Sequence, residues 1–502
     1  MRKTKIICTI GPASENETVL KAMFAAGMDV ARLNFSHGTH EEHKKKIDLI
    51  KQVREELDLP IAIMLDTKGP EYRIGTFVDD KITVQAGDKF TFTTEDIVGD
   101  QSCVSVNYKD LVKNLSVGDR ILVNNGLVVF EVEELSGCQA HCRVVTGGIL
   151  SNRKSMSFPN KVMDGPYLSE KDKADLLFGI ENDVDFIAAS FVSKAQDLIE
   201  LHEFLDANGG KNIDIVAKIE NRSGVDNIEE ICQYCEGIMI ARGDLGVEIP
   251  FVEVPAVQKY LISKCRLLGK RVITATEMLE TMIYNPRPTR AEISDVANAV
   301  YDGSSAIMLS GESAAGKYPV EAVKVMAEIA RYTEQQNSYR ERFLTSEFQI
   351  QNMLDAMSHA TCSMAVDVEA KAIVVSSVSG KTAMMISRFR CPVPIIGMTT
   401  NRKVWRKLSL SWGVYPAMSD EFTSMDVMFY HAMAGAKKML NLQKGDRVVL
   451  TGVNGFSLHW HIFGVEQFCP LEELRPANSF QQTFLDRAKA GIPMYSGLGY
   501  FF

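Results

Sequence analysis

The chain has 502 residues, is 46% hydrophobic and 24% charged, and carries a formal net charge of −9. That composition is globular, with room for about three domains, and the acidic balance excludes a bulk basic surface for nucleic acid or anionic membrane. The opening MRKTKIICTIGPAS holds too short an apolar run for a signal peptide, and no stretch reaches membrane-spanning length, so a cytoplasmic protein with no nucleic-acid or membrane partner is expected.

In chain order, β-branched apolar runs alternate with longer amphipathic stretches. Strands are predicted at 4–11 (TKIICTIG), 30–36 (VARLNFS) and 61–67 (IAIMLDT), separated by the helix-like NETVLKAMFAAG and EEHKKKIDLIKQVREEL. The pattern then changes to short Val-, Thr-, Phe- and Gly-rich segments alternating apolar with polar, as in KITVQAGDKFTFTT, which predicts an antiparallel β-domain over 70–166. Strand–helix alternation resumes with strands at 186–192, 213–221, 237–243, 271–277 and 305–313. Eight βα units interrupted once predict an α/β fold, a (β/α)8 TIM barrel from 1–69 and 167–340 with the β-domain inserted after its third strand. A doubly wound sheet is the fallback, but no G-x-G-x-x-G follows the first strand. Residues 341–502 read as a C-terminal α/β domain, with a helix over 349–368 and strands at 372–378, 394–400 and 446–452.

Barrel sites lie at the carboxyl ends of the strands. Those ends carry Arg32, Asn34 and Ser36; Asp66, Thr67 and Lys68; Ser190; Lys218 and Glu220; Arg242 and Asp244; Thr276 and Glu277; Ser310 and Glu312. An isolated Lys-x-Glu is a surface ion pair, yet a solvated rim would not deliver polar ends on seven strands in succession. Lysine and arginine suit phosphate, while Glu220 and Asp244 on adjacent strands could share Mg2+, which takes one or two carboxylates plus substrate oxygens. Together they point to phosphoryl transfer or to an enolate stabilised by metal.

Other features lead elsewhere. Cys138/Cys142 and Cys232/Cys235 lack the second half of a zinc site and read as structural thiols. GESAAGKY ends in tyrosine and VSSVSGKT begins with valine, so neither completes a P-loop. The second still places Ser376, Ser377, Ser379, Gly380, Lys381 and Thr382 at the start of a helix, where either a phosphate cradle or a solvated, well-capped turn is possible.

The strand ends also resemble a family. RLNFSHG (32–38), LDTKGPEYR (65–73), AKIEN (217–221), IMIARGDLGVE (238–248), ITATEML (273–279), NPRPTRAEISDVANAVYDG (285–303) and IMLSGESAAGKYP (307–319) look like pyruvate kinase, in order from residue 2 to about 335. The resemblance implies transfer of phosphoryl from phosphoenolpyruvate to ADP, giving pyruvate and ATP. Glu220 and Asp244 would hold Mg2+ (or Mn2+), Lys218 would lie along the transferring phosphoryl group, and Arg32 would contact phosphate oxygens. Asn34, Ser36, Asp66 and Thr67 would form a K+ site, and Glu71 stands where potassium-independent members carry lysine, so K+ dependence is implied. His37, Arg73 and Lys154 match nucleotide-side positions, the last on the lid. The backbone at Gly243 and Asp244 and the Thr276 hydroxyl would meet the substrate carboxylate, with Thr276 in the network that protonates enolpyruvate; Ser190 and Ser310 complete the substrate-binding set. The 376–382 loop would take a sugar-phosphate effector, and a homotetramer is implied.

The chain also departs from the family pattern. Glu277 replaces a usual glutamine, Ser193 stands where arginine is common, and KSMSFPN differs from the usual lid sequence. From about residue 456 the tail, beginning FSLHWHIFGVEQ, matches nothing in the pattern, and a divergent terminus or a coding-frame change would each explain it. His459, Trp460 and His461 could form a metal or stacking site or simply pack. Two alternatives stay open: a Mg2+-dependent enolate lyase or aldolase on the same barrel, and a non-catalytic regulatory homologue.

Overall fold

A computed structural model describes residues 1–159, 161, 165–421, 425–454 and 457–464. Eight parallel strands close into a barrel: Lys5–Thr9, Val30–Asn34, Ala62–Asp66, Phe186–Ala189, Asp214–Ile219, Gly237–Ala241, Arg271–Ala275 and Ala306–Leu309. The order follows the chain, and the first strand pairs with the eighth through Lys5↔Ala306. Their near-continuous apolar runs suit a parallel sheet covered on both faces. Alternation sorts each strand into two sets. One set, including Ile7, Val30, Met64, Phe186, Ala188, Val216, Met239, Ile273 and Met308, fills the barrel. The other, including Ile6, Leu33, Ile63, Ile187, Ile215 and Ile240, packs against the surrounding helices.

The inward parity places the site. Counting in twos from Val30 gives Arg32 and Asn34; from Met64, Asp66; from Ala188, Ser190; from Val216, Lys218 and Glu220; from Met308, Ser310. The barrel's apolar filling thus gives way at its carboxyl end to charged and hydroxyl groups on the same face.

Between the third and fourth barrel strands lies a seven-stranded sheet running from Tyr72–Arg73 to Ser155–Ser157, with a separate two-stranded ribbon. Its core is Phe90, Phe92, Val104, Ile121, Phe130 and their neighbours. All its ladders are antiparallel except one: Lys89–Thr93 pairs with Cys103–Ser105 in parallel. The Asp100 carboxylate accepts from the backbone of Ser102 and Cys103 at 2.7 and 3.1 Å, turning the short connection so that the chain returns in the same direction.

The C-terminal domain has a five-stranded sheet in the order Val414–Met418, Ile395–Thr399, Ala372–Ser376, Arg447–Asn454, Ser457–Gly464, the last antiparallel. Two of these strands were not read from the sequence. Val414–Met418 contains Pro416, which a strand tolerates at a sheet edge, where this one lies. Ser457–Gly464 begins inside the atypical tail; it carries the backbone of His459, Trp460 and His461 beside Gly452, Thr451 and Leu450. The side chains of those three residues, and the tail from 465 onward, lie outside what is described. The described cysteines are free, and the buried Cys232 and Cys265 sulfurs are 3.6 Å apart. No described helix is long and apolar enough to cross a membrane.

Candidate active site

Four charged side chains interlock at the carboxyl end of the barrel. Asp66 accepts from Arg32 Nε at 2.6 Å through one oxygen and from Lys218 Nζ at 3.0 Å through the other. Lys218 Nζ also donates to Ser190 Oγ at 2.7 Å and stands 3.0 Å from Glu220 Oε1. All four are buried, Glu220 completely. Burial opposes the charge on Lys218, but Asp66 and Glu220 outweigh it and hold the ammonium protonated, well above its ordinary range. Burial likewise works against the Asp66 carboxylate, yet Arg32 and Lys218 hold it below the usual range. Glu220 goes the other way: burial pushes it up to about 7, Lys218 opposing and Asp244 adding.

Glu220 has its two oxygens in different situations. Oε2 accepts from Phe191 N at 2.6 Å, for which Phe191 takes a left-handed φ of 56°. Oε1 is buried with no hydrogen bond, despite the nearby ammonium. Among the described residues that oxygen's one partner is the ammonium 3.0 Å away, which leaves lone-pair capacity for a further cation. A divalent cation fits: Glu220 and Asp244 line one cleft and supply hard oxygens. Among the described residues no three His, Cys, Asp or Glu side chains gather as a metal cage, so the remaining oxygens would come from water or substrate.

Asn34, Ser36, Asp66 and Thr67 lie at or just past the carboxyl ends of two neighbouring strands. Asn34 and Asp66 sit opposite one another in register at the ends of neighbouring strands, and Asn34 Oδ1 accepts from Ser36 N at 3.1 Å. Thr67 follows Asp66, its hydroxyl accepting from Ser190 N at 3.1 Å. Amide, hydroxyl and carboxylate oxygens are the chemistry a monovalent cation takes.

The turn after strand Arg271–Ala275 is strained. Thr276 and Glu277 have φ of 69° and 54°, a costly conformation for a β-branched residue. Arg242, which points away from the cleft, donates to Thr276 O at 2.6 Å and to Asp295 at 2.8 Å, fixing that turn. The Thr276 hydroxyl accepts from Gly243 N at 2.8 Å and donates to Ala275 O at 2.6 Å. Glu277 is exposed. Ser310 Oγ is buried without a partner.

Part of this set faces a cleft of about 470 Å³ between barrel and inserted domain. Arg32, Asn34, Ser36, His37, Arg73, Ser190, Lys218, Glu220 and Asp244 all line it. Gly243, Thr276 and Ser310 stand outside the lining, as do Asp66 and Thr67, and Lys154 lies beside lining Ser155 without reaching the cleft. Glu71 is ion-paired to Lys68 at 2.5 Å and to Arg73. Sequence reasoning missed Glu248. It lines the cleft, burial lifts it to about 7, and it bonds Ser157 across the gap. Its signal was its place one helical turn beyond Asp244 in GDLGVE. In the C-terminal domain, Ser377 Oγ accepts from Gly380 N at 3.1 Å and Ser379 Oγ from Lys381 N at 3.4 Å, while Thr382 is buried. The loop is thus capped by its own hydroxyls.

Residues 1–323 match the sequence profile of the pyruvate kinase barrel domain, and 355–458 that of the pyruvate kinase alpha/beta domain. The chain belongs to the pyruvate kinase family. The pyruvate kinase of Clostridium acetobutylicum is 48% identical over 453 residues, 90% of this chain and 96% of that one. That of Geobacillus stearothermophilus is 46% identical over 90% of this chain and 77% of its own. A crystal structure of a pyruvate kinase from Cryptosporidium parvum superposes with a TM-score of 0.89 at 37% identity, covering 93% of this chain and 96% of that one. The pyruvate kinase profile ends at 458, close to where the tail departs from the family pattern.

Proposed function

We propose that this chain catalyses phosphoryl transfer from phosphoenolpyruvate to ADP, giving pyruvate and ATP as the last step of glycolysis, with Mg2+ (or Mn2+) and K+. The observation that carries this reading is the buried Lys218 ammonium, held by Asp66, Ser190 and Glu220 at the floor of a cleft shared with the inserted domain. Glu220 and Asp244 would hold a divalent cation, which would supply positive charge to offset the negative charge that develops during phosphoryl transfer. Lys218 and Arg32 neutralise the phosphoryl group as it moves, and Asp66, bonded to both, keeps them in place. The Gly243 and Asp244 backbone meets the substrate carboxylate, Ser190 and Ser310 flank it, and the Thr276 hydroxyl stands in the network that delivers a proton to enolpyruvate. His37, Arg73 and Lys154 take the nucleotide side. Asn34, Ser36, Asp66 and Thr67 hold K+, and Glu71 in place of lysine supports dependence on it.

The Ser376–Thr382 loop is the place for a sugar-phosphate effector, the assembly is a homotetramer and the compartment is the cytoplasm. The test is pyruvate formation from phosphoenolpyruvate and ADP with each cation present or omitted. Activity is expected only with both, and no pyruvate under any metal condition would defeat the reading. Lys218→Met should lower kcat by about 10³-fold or more while the circular dichroism spectrum is unchanged; near-wild-type turnover would remove Lys218 from its role.

A further inference from the structure

The chain leaving the second barrel strand, residues 34–38, sends its side chains two ways. Asn34, Ser36 and His37 line the cleft, while Phe35 is buried behind it. The carbonyls of such a segment need partners where they are buried, and two helices supply them. Lys171 of helix Glu170–Glu181 donates to Phe35 O at 2.9 Å. His43 of helix His40–Glu56 reaches His37 O at 2.8 Å through Nε2.

His43 touches this segment twice. Its ring lies flat on Phe35, with centroids 3.9 Å apart and planes 11° from parallel, and its edge meets the carbonyl two residues further on. The fit is close: Gly38 has φ of 81°, and a Cβ there would stand 3.4 Å from His43 Nε2 and 2.9 Å from Glu42 Oε2. A carbonyl can only accept, so Nε2 carries the proton. Nδ1 is buried and, among the described residues, has no partner. A second proton there would be a buried charge facing nothing. Burial accordingly holds the imidazole below its ordinary range, the His37 carbonyl opposing. The ring is thus kept neutral, with its one N–H aimed at His37.

We propose that His43 is a positioning residue for the nucleotide: by holding the His37 carbonyl and the Phe35 ring it turns the His37 side chain into the cleft, an inference that rests on reading His37 as a nucleotide contact. His37 is exposed and, among the described residues, its imidazole has no hydrogen bond, so its placement follows from its backbone. His43 itself is buried beneath the segment and does not line the cleft. Its effect is selective, because the groups assigned to phosphoenolpyruvate stand on other strands or, in Arg32, are held by Asp66. Displacing His37 by a fraction of an ångström weakens the hold on ADP and leaves the phosphoryl donor where it was.

The test is steady-state kinetics on the full chain with Mg2+ and K+ saturating and each substrate varied in turn. His43→Leu removes the donor at similar volume. It should raise KM for ADP about threefold to tenfold, with kcat and KM for phosphoenolpyruvate within about twofold of wild type. Glutamine carries its amide nitrogen where imidazole carries Nε2, so His43→Gln should recover most of the loss. His37→Ala should raise KM for ADP, and adding His43→Leu to it should raise it no further. If His43→Leu fails to fold, His43→Asn, whose shorter amide stands in the place of Nδ1, is expected to show the same rise. The proposal is overturned by an unchanged KM for ADP in the variants that lack the donor, or by an equal rise in KM for phosphoenolpyruvate, which marks a general structural role. His43→Gln as impaired as His43→Leu, or additive effects in the double variant, would overturn it too. An unchanged KM for ADP in His37→Ala would remove the nucleotide reading of His37 and the positioning role with it. An impaired His37→Ala beside normal His43 variants would remove the positioning role alone.

Discussion

Glu220 illustrates what a single residue's surroundings add to its type. Its place two residues after Lys218 was legible in the sequence, as was the face it shares with Lys218. The division of its two oxygens between Phe191 N and the Lys218 ammonium, and its elevated pKa, were not, because they depend on Phe191 and Asp244 arriving from elsewhere in the chain. The elevation has a measurable consequence. With burial lifting the carboxyl to about 7, the metal-free enzyme carries a proton on Glu220 below that pH, and an entering cation must displace it. The proton therefore competes with the metal below pH 7 and ceases to compete above it. Apparent Mg2+ affinity should fall as pH drops from 8 to 6, approaching about tenfold per unit below 7. Isothermal titration across that range reads it directly, and Glu220→Gln should bind Mg2+ more weakly and lose the dependence. A flat profile in the wild-type protein would show that Glu220 is ionised throughout and is not the group that titrates.

The inserted domain and the barrel meet through elements whose hinges converge on one residue. At the entry, Gly69 has φ of 71°, and a Cβ there would stand 2.8 Å from the Ser190 Cβ. On the return, the buried Tyr167 hydroxyl donates to Ser190 O at 2.7 Å. Ser190 in turn holds Lys218 at 2.7 Å, so both hinges bear on the group that meets the phosphoryl. Strand and helix periodicity revealed the insertion, but periodicity says nothing of what its ends touch. Gly69→Ala meets both an unfavourable φ and a fixed neighbour, and should lower kcat at least tenfold by shifting Ser190 and Lys218. Tyr167→Phe keeps the ring and leaves a carbonyl unpaired, costing about 1–2 kcal/mol of stability. Steady-state kinetics and denaturant titration of the two variants check this. A Gly69→Ala enzyme with unchanged kcat would show that the hinge moves independently of Lys218.

At the scale of the whole molecule, the barrel was legible because eight β-branched, near-continuous apolar runs separated by amphipathic stretches leave few alternatives. The union of barrel and C-terminal domain was not, since charged helix faces read as solvated. Helix Arg402–Leu408 carries such a face, yet it closes the amino end of the barrel. Lys403 reaches Asp183 at 2.6 Å, Arg406 reaches Asp183 and Asp185 at 2.8 Å, and Lys407 reaches Asp214 at 2.5 Å. These pairs should differ greatly in worth. Asp185 is fully buried and raised by that burial, with Arg406 and the more distant Arg54 opposing, whereas Asp183 is half-exposed. Removing Arg406 strands a buried carboxylate and should cost about 3 kcal/mol, while removing Lys403 should cost less than about 1 kcal/mol. Asp185→Asn keeps an acceptor for Ile63 N, bonded at 2.9 Å, without the charge. The double variant Arg406→Ala/Asp185→Asn should therefore be more stable than Arg406→Ala alone, because the deficit comes from the stranded charge rather than from lost attraction. Denaturant titration of the three variants decides it: a double variant as unstable as the sum of its parts would place the stabilisation in packing between the domains instead.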